Sequence, residues 1–102
     1  MTPVHPSAHV EELGYVMSAI DAMTVSIGVQ KMTVPTNANH LLLFNNSDST
    51  VIWCGGLGVN QSNGIPIYPR TERFFRHIIG GFFLYVVTAQ GTADLRTMAF
   101  GG

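Results

Sequence analysis

The chain offers few residues that could do chemistry: four histidines, one cysteine and six carboxylates among 102 residues. His5 and His9 have the i, i+4 spacing that puts two imidazoles on one helical face. A zinc site needs three or four His, Cys or carboxylate ligands, however, and Pro6 lies between these two with no third ligand in a motif relationship. They read as solvent-facing residues of an arm. His40 precedes an apolar run and His77 sits in "RFFRHI", so both read as strand-end residues rather than as ligands or bases. Cys54 follows Val51, Ile52 and Trp53. A nucleophilic thiol needs a basic neighbour and an oriented histidine, whereas a cysteine within an apolar strand behaves as a small hydrophobe. Asp48, Glu72 and Asp94 lie in separate segments, and nothing pairs two of them as glycoside hydrolysis would require. The glycines of "GGLGV" (Gly55 to Val59) lead into no helical period, so no helix N-terminus is available to hold a phosphate. The expectation is a protein without catalytic residues, metal or cofactor.

Binding chemistry has better candidates. Trp53 and Tyr68, with the amides of Asn60, Gln61 and Asn63, would suit a sugar, whose apolar faces stack on rings while its hydroxyls bond amides. The plainer reading is a Trp buried on a central strand beside an ordinary polar loop. Arg70, Arg73 and Arg76, with Glu72, place four charges within seven residues of a chain that carries little charge elsewhere. Arg70 and Arg76 share one strand parity and Arg73 has the other, so a single strand would put them on both faces. Arginine is favoured where bidentate contacts join subunits; a solvated strand face is the alternative.

Composition narrows the classes. Only 11% of residues are charged, against about 25% in soluble domains. Asn, Ser, Thr and Gly must cover the surface, along with apolar residues that a partner hides, which favours an oligomer or a subunit of an assembly. A net charge of -1 leaves no basic footprint for nucleic acid. The longest mostly apolar run, Ile78 to Ala89, is too short for a membrane helix of about 20 residues. "MTPVHPSAHVEEL" lacks the basic and apolar regions of a secretory signal, and a single cysteine permits no intrachain disulfide. The expectation is a protein made in the cytoplasm, with no membrane contact.

One domain of this size must position these groups. Residues 1–21 read as an N-terminal arm or short amphipathic helix, with Val10, Leu13, Val16 or Met17, and Ile20 on one face. Ser7 would cap it, and Gly14 would weaken it by about 1 kcal/mol. Val10, Leu13, Tyr15, Val16 and Ile20 are its candidate interface residues. Residues 22–102 read as strands throughout. "MTVSIGV" alternates from Met23 to Val29, "KMTVP" ends at Pro35, and "HLLLFN" is a continuous apolar run suited to a central strand. "NSDS" supplies a turn, after which "TVIWCGG" returns as the second arm of a hairpin. Asn63-Gly64 marks another tight turn, and the alternate prolines of "IPIYP" place it on an edge. "ERFFRHI", "FFLYVVTA" and "TADLRTMAF" complete seven or eight short strands, the pattern of an antiparallel β-sandwich or barrel.

Residues 38–100 carry a further pattern: the Asn45-Asn46 turn, Val51, Gly55-Gly56, Gly58-Val59, the "SNGIP" turn (Ser62 to Pro66), Pro69, Leu84-Tyr85 and the closing "GTADLR" (Gly91 to Arg96). The pattern resembles short virion structural proteins and modules of tailed bacteriophages. That resemblance implies a β-sandwich or jelly-roll piece of a capsid decoration protein, a head fibre or a tail component. The leading expectation is a non-enzymatic capsid decoration or cement protein on the outer capsid surface. It would bind the major capsid protein and itself, as a homodimer or homotrimer, with residues 1–21 reaching onto the shell. The alternative is a glycan-binding or structural module of a head fibre or tail component.

Overall fold

The computed structural model describes the backbone of residues 16–101 and the side chains of residues 21–101. These residues form eight strands and no helix: β1 (Val16–Val25), β2 (Gln30–Thr33), β3 (His40–Asn45), β4 (Ile52–Gly55), β5 (Ile65–Ile67), β6 (Glu72–Arg76), β7 (Phe83–Thr88) and β8 (Ala93–Gly101). They build two four-stranded sheets, in the orders β1-β8-β3-β6 and β2-β7-β4-β5. Every neighbouring pair is antiparallel.

The winding follows from the pairs. β1 joins β8, β2 joins β7, β3 joins β6 and β4 joins β5. These are the rungs of one long hairpin whose tip is the β4–β5 connection. Folding that ribbon over itself brings β8 beside β3 and β7 beside β4, which closes two Greek keys into a jelly roll. The expected antiparallel β-sandwich is thus the fold, with the jelly-roll strand order.

Alternation fixes what each sheet buries. Ala93, Leu95, Thr97 and Ala99 of β8 point inward between Asp94, Arg96, Met98 and Phe100. Leu41 and Leu43 of β3, Ile52 and Cys54 of β4, Ile67 of β5 and Val86 of β7 meet them between the sheets, closed below by Val25 and Val34. Buried Asn45 sits at the end of this layer, 0% exposed. Its Nδ2 donates to the carbonyls of Thr50 (2.7 Å) and Ile67 (2.8 Å), while its Oδ1 accepts from the Ser47 amide and hydroxyl. One side chain therefore ties the β3–β4 turn to β5 in the facing sheet.

Three expectations are corrected. Val16, Met17 and Ile20 belong to β1, paired with β8 from Val16↔Gly101 onward, and not to a helix; residues 16–21 are sheet, so the β-body begins before residue 22. The backbone at these three positions is instead taken up by a ten-residue strand whose ladder covers the edge of β8. The strand expected to continue to Val29 ends at Val25. There the Ser26 amide donates to Gln30 Oε1, and Gln30 Nε2 donates to the Thr24 carbonyl, turning the chain and leaving Ile27 exposed. β3 and β4 do not form a hairpin: β3 lies in one sheet and β4 in the other, and the Asn46 to Ser49 turn crosses between them.

Candidate interaction face

The outer face of the β1-β8-β3-β6 sheet can be built row by row from the register. Met98, Leu42 and Phe74 stand side by side across β8, β3 and β6. One row away stand Arg96, Phe44 and Glu72, and on the other side Phe100, His40 and Arg76. The middle row is wholly apolar. Phe74 is 39% exposed, Leu42, Phe44 and Met98 are half-buried, and Ala22 extends the patch onto β1 beside Arg96. A shallow hollow of about 420 Å³ lies over Ala22, Leu42, Phe44 and Met98, with Arg96 at its rim.

Charge surrounds this patch and does not cross it. Arg70 lies 5.8 Å from the Phe44 ring centre and Arg76 lies 5.0 Å from that of Phe74, both as cations over aromatic faces. Arg70 holds a left-handed backbone (φ 61°) at the β5–β6 corner, and its guanidinium donates to Asn46 Oδ1 at 2.6 Å. Arg96 pairs with Asp94 at 2.8 Å. Hydrogen bonds from Arg96 and from Asn46 Nδ2 hold the Asp94 carboxyl below the usual range. The His40 and His77 rings, 5.7 Å apart, close the far end of the face, with the Phe74 ring 6.0 Å from His40.

The three candidate arginines separate by parity. Arg70 and Arg76 belong to the outer face, while Arg73 has the opposite parity and its Nε donates to the Pro66 carbonyl of β5 at 3.0 Å. Sequence reasoning missed Leu42, Phe44, Phe74 and Met98. A signal was present: antiparallel strands covered on one side alternate, and "HLLLFN" does not.

The candidate sugar-binding residues are partly brought together. Trp53 and Gln61 line one open cleft of about 680 Å³ with Val51, Thr50 and Gln90. Tyr68 does not line that cleft. Asn60 and Asn63 are occupied by their own loop: Asn60 Oδ1 accepts from the amides of Ser62 and Asn63, and Asn63 Oδ1 accepts from the Asn60 amide. The turn at Asn63-Gly64 is thus the end of a nine-residue β4–β5 loop (56–64) rather than a two-residue hairpin. Buried Val59 anchors it against Gly55 and Gly64.

Cys54 is a core residue whose thiol is pushed up by burial, with the Arg73 charge pulling the other way. Among the described residues no three His, Cys, Asp or Glu side chains group to hold a metal. His5, His9, Val10, Leu13 and Tyr15 lie outside the described residues, and of Val16 and Ile20 only the backbone is described. No helix among the described residues is long and apolar enough to cross a membrane. No family model, curated protein or solved structure matches this chain.

Proposed function

We propose that this protein is a non-enzymatic structural subunit of a bacteriophage virion, a capsid decoration or cement protein that docks through the outer face of its β1-β8-β3-β6 sheet. The observation that carries the proposal is the apolar row Met98, Leu42, Phe74, with Phe44 beside it, half-buried or exposed and covered by no other described strand, on a chain that is only 11% charged. Such a face is an interaction surface by default. Its rim of Arg70, Arg76, Arg96, Glu72 and Asp94 would set orientation, because rim charges steer and select more than they bind. The phage-virion resemblance of residues 38–100 is what favours a virion as the assembly. Each copy would bridge neighbouring capsid subunits and stabilise the expanded shell by binding that state alone.

The direct experiment is cosedimentation with expanded shells of a tailed-bacteriophage major capsid protein. The expected result is saturable binding at a fixed copy number, lost in Leu42→Gln/Phe44→Gln while the fold persists. Shell binding untouched by those substitutions would reject the face as the docking surface.

A second reading has one specific observation behind it: Trp53 and Gln61 share a cleft. A glycan module of a fibre or tail would bind there, stacking a sugar on the indole. Trp53 fluorescence should then shift when host polysaccharide is added, and an indole that ignores every sugar would dismiss this reading.

A further inference from the structure

Among the described residues β6 is an edge strand, paired only with β3. Its sequence, Glu72-Arg73-Phe74-Phe75-Arg76, is exposed along most of its length. Backbone groups on an antiparallel strand point alternately to either side. The Asn45 amide donates to the Thr71 carbonyl, and the Asn45 carbonyl accepts from the Arg70 amide. Asn45, Leu43 and Leu41 therefore face β6, while the Asn46 amide turns the other way, to Asp94 of β8. In this phase Arg73 and Phe75 spend their N–H and C=O groups on β3. Those of Glu72, Phe74 and Arg76 point away from it, to an edge that no other described strand occupies.

We infer that β6 pairs with β6 of a second copy, antiparallel and centred on Phe74, to form a two-fold dimer with a continuous eight-stranded sheet. Two observations choose the second copy over any other strand. The residues whose backbone groups are open, at 72, 74 and 76, are the ones this register sets opposite each other, each as a hydrogen-bonded pair. The same register puts Glu72 of each copy against Arg76 of the other, so the only acidic residue of the strand meets a cation at both ends, with Phe74 on Phe74 between them. Charges on an edge strand ordinarily deter pairing; here opposite signs are placed symmetrically about the centre and select a partner of the same sequence. β5, the edge beneath, carries Pro66 and spans only three residues, so it is a poor template.

The two-fold axis of this pairing stands normal to the sheet, so both outer faces point the same way. The rows Met98, Leu42, Phe74 of the two copies then run on as one apolar stripe. The dimer refines the proposed docking face, yet it does not depend on what that face binds.

Sedimentation equilibrium across a concentration series tests it, with wild type, Glu72→Arg, Arg76→Glu and the Glu72→Arg/Arg76→Glu double variant. Wild type should reach twice the 11.1 kDa chain mass. Each single reversal sets like charges opposite each other at both ends and should weaken the dimer by on the order of tenfold. The double variant should recover it. A monomeric wild type, a dimer indifferent to the single reversals, or a double variant that fails to recover would overturn the inference. A wild type that dimerises but does not bind shells would count against the proposed function and leave the dimer standing.

Discussion

Arg73 Nε donates a 3.0 Å hydrogen bond to the carbonyl oxygen of Pro66, so β6, at the edge of one sheet, is clasped to β5 at the edge of the other. The bond is charge-assisted and spans the open side of the sandwich. Arg73→Ala should lower stability by about 1 kcal/mol in chemical denaturation. Arg76→Ala, whose guanidinium only lies over Phe74, should stay within about 0.5 kcal/mol of wild type. Equal losses for the two would contradict this division of labour.

Asn45 should be the costliest polar side chain to remove. Asn45→Ala removes a donor from the buried Ile67 carbonyl and one of two donors from the Thr50 carbonyl, which keeps the Ser47 hydroxyl. The loss centres on the buried bond to Ile67, so the total should be about 1–3 kcal/mol. A loss under about 1 kcal/mol in urea unfolding would mean that the network is dispensable.

Gly80 packs so closely on the β2–β3 connection that an added methyl would overlap the carbonyl oxygen of Pro35 and crowd that of Ala38. Both obstacles are backbone and cannot rotate away. Gly80→Ala should destabilise by on the order of 3 kcal/mol. Gly56→Ala, where a methyl meets nothing, should be close to neutral. Thermal melts of the pair separate the steric effect from glycine substitution in general.

Acid should loosen the corner where Asp94 meets Arg96 and Asn46. The Asp94 carboxyl is held down in the folded state, chiefly by the Arg96 hydrogen bond and then by that from Asn46. Its stabilisation is therefore present above the unfolded carboxylate range near about 4, and is lost as pH falls through the lower folded value. In a carbon-detected NMR titration Asp94 should titrate below the ordinary aspartate range of about 3.9, and Asn46→Ala, which removes one of its hydrogen-bond donors, should move it upward. A midpoint for Asp94 at or above the ordinary aspartate value, or one that Asn46→Ala leaves in place, would contradict the assignment.

Much of the architecture was legible in the chain because it is local. The alternation of "TADLRTMAF" is the inward and outward alternation of β8, and the prolines of "IPIYP" do mark an edge strand. What failed was non-local. "HLLLFN" and "TVIWCGG" look like hairpin partners because neighbours in sequence usually pair, whereas the jelly-roll ribbon pairs β3 with β6 and β8. The turn at Asn46 to Ser49 was legible from its short polar side chains, but the bond of Asn45 to Ile67 in the facing sheet had no signature in spacing. The β1 strand was hidden because Val16, Met17 and Ile20 also fit a helical period. The interaction face was half legible: Arg70 and Arg76 were singled out, while Leu42 and Phe44 were absorbed into a strand taken to be buried on both sides.

The measurement closest to the central claim is cosedimentation of wild type and Leu42→Gln/Phe44→Gln with expanded capsid shells, with circular dichroism confirming that both are folded. The account predicts that wild type binds to a fixed stoichiometry and raises the shell melting temperature, and that the double variant does neither. A folded wild type that stays in the supernatant at every concentration, or a double variant that binds as well as wild type, would contradict it.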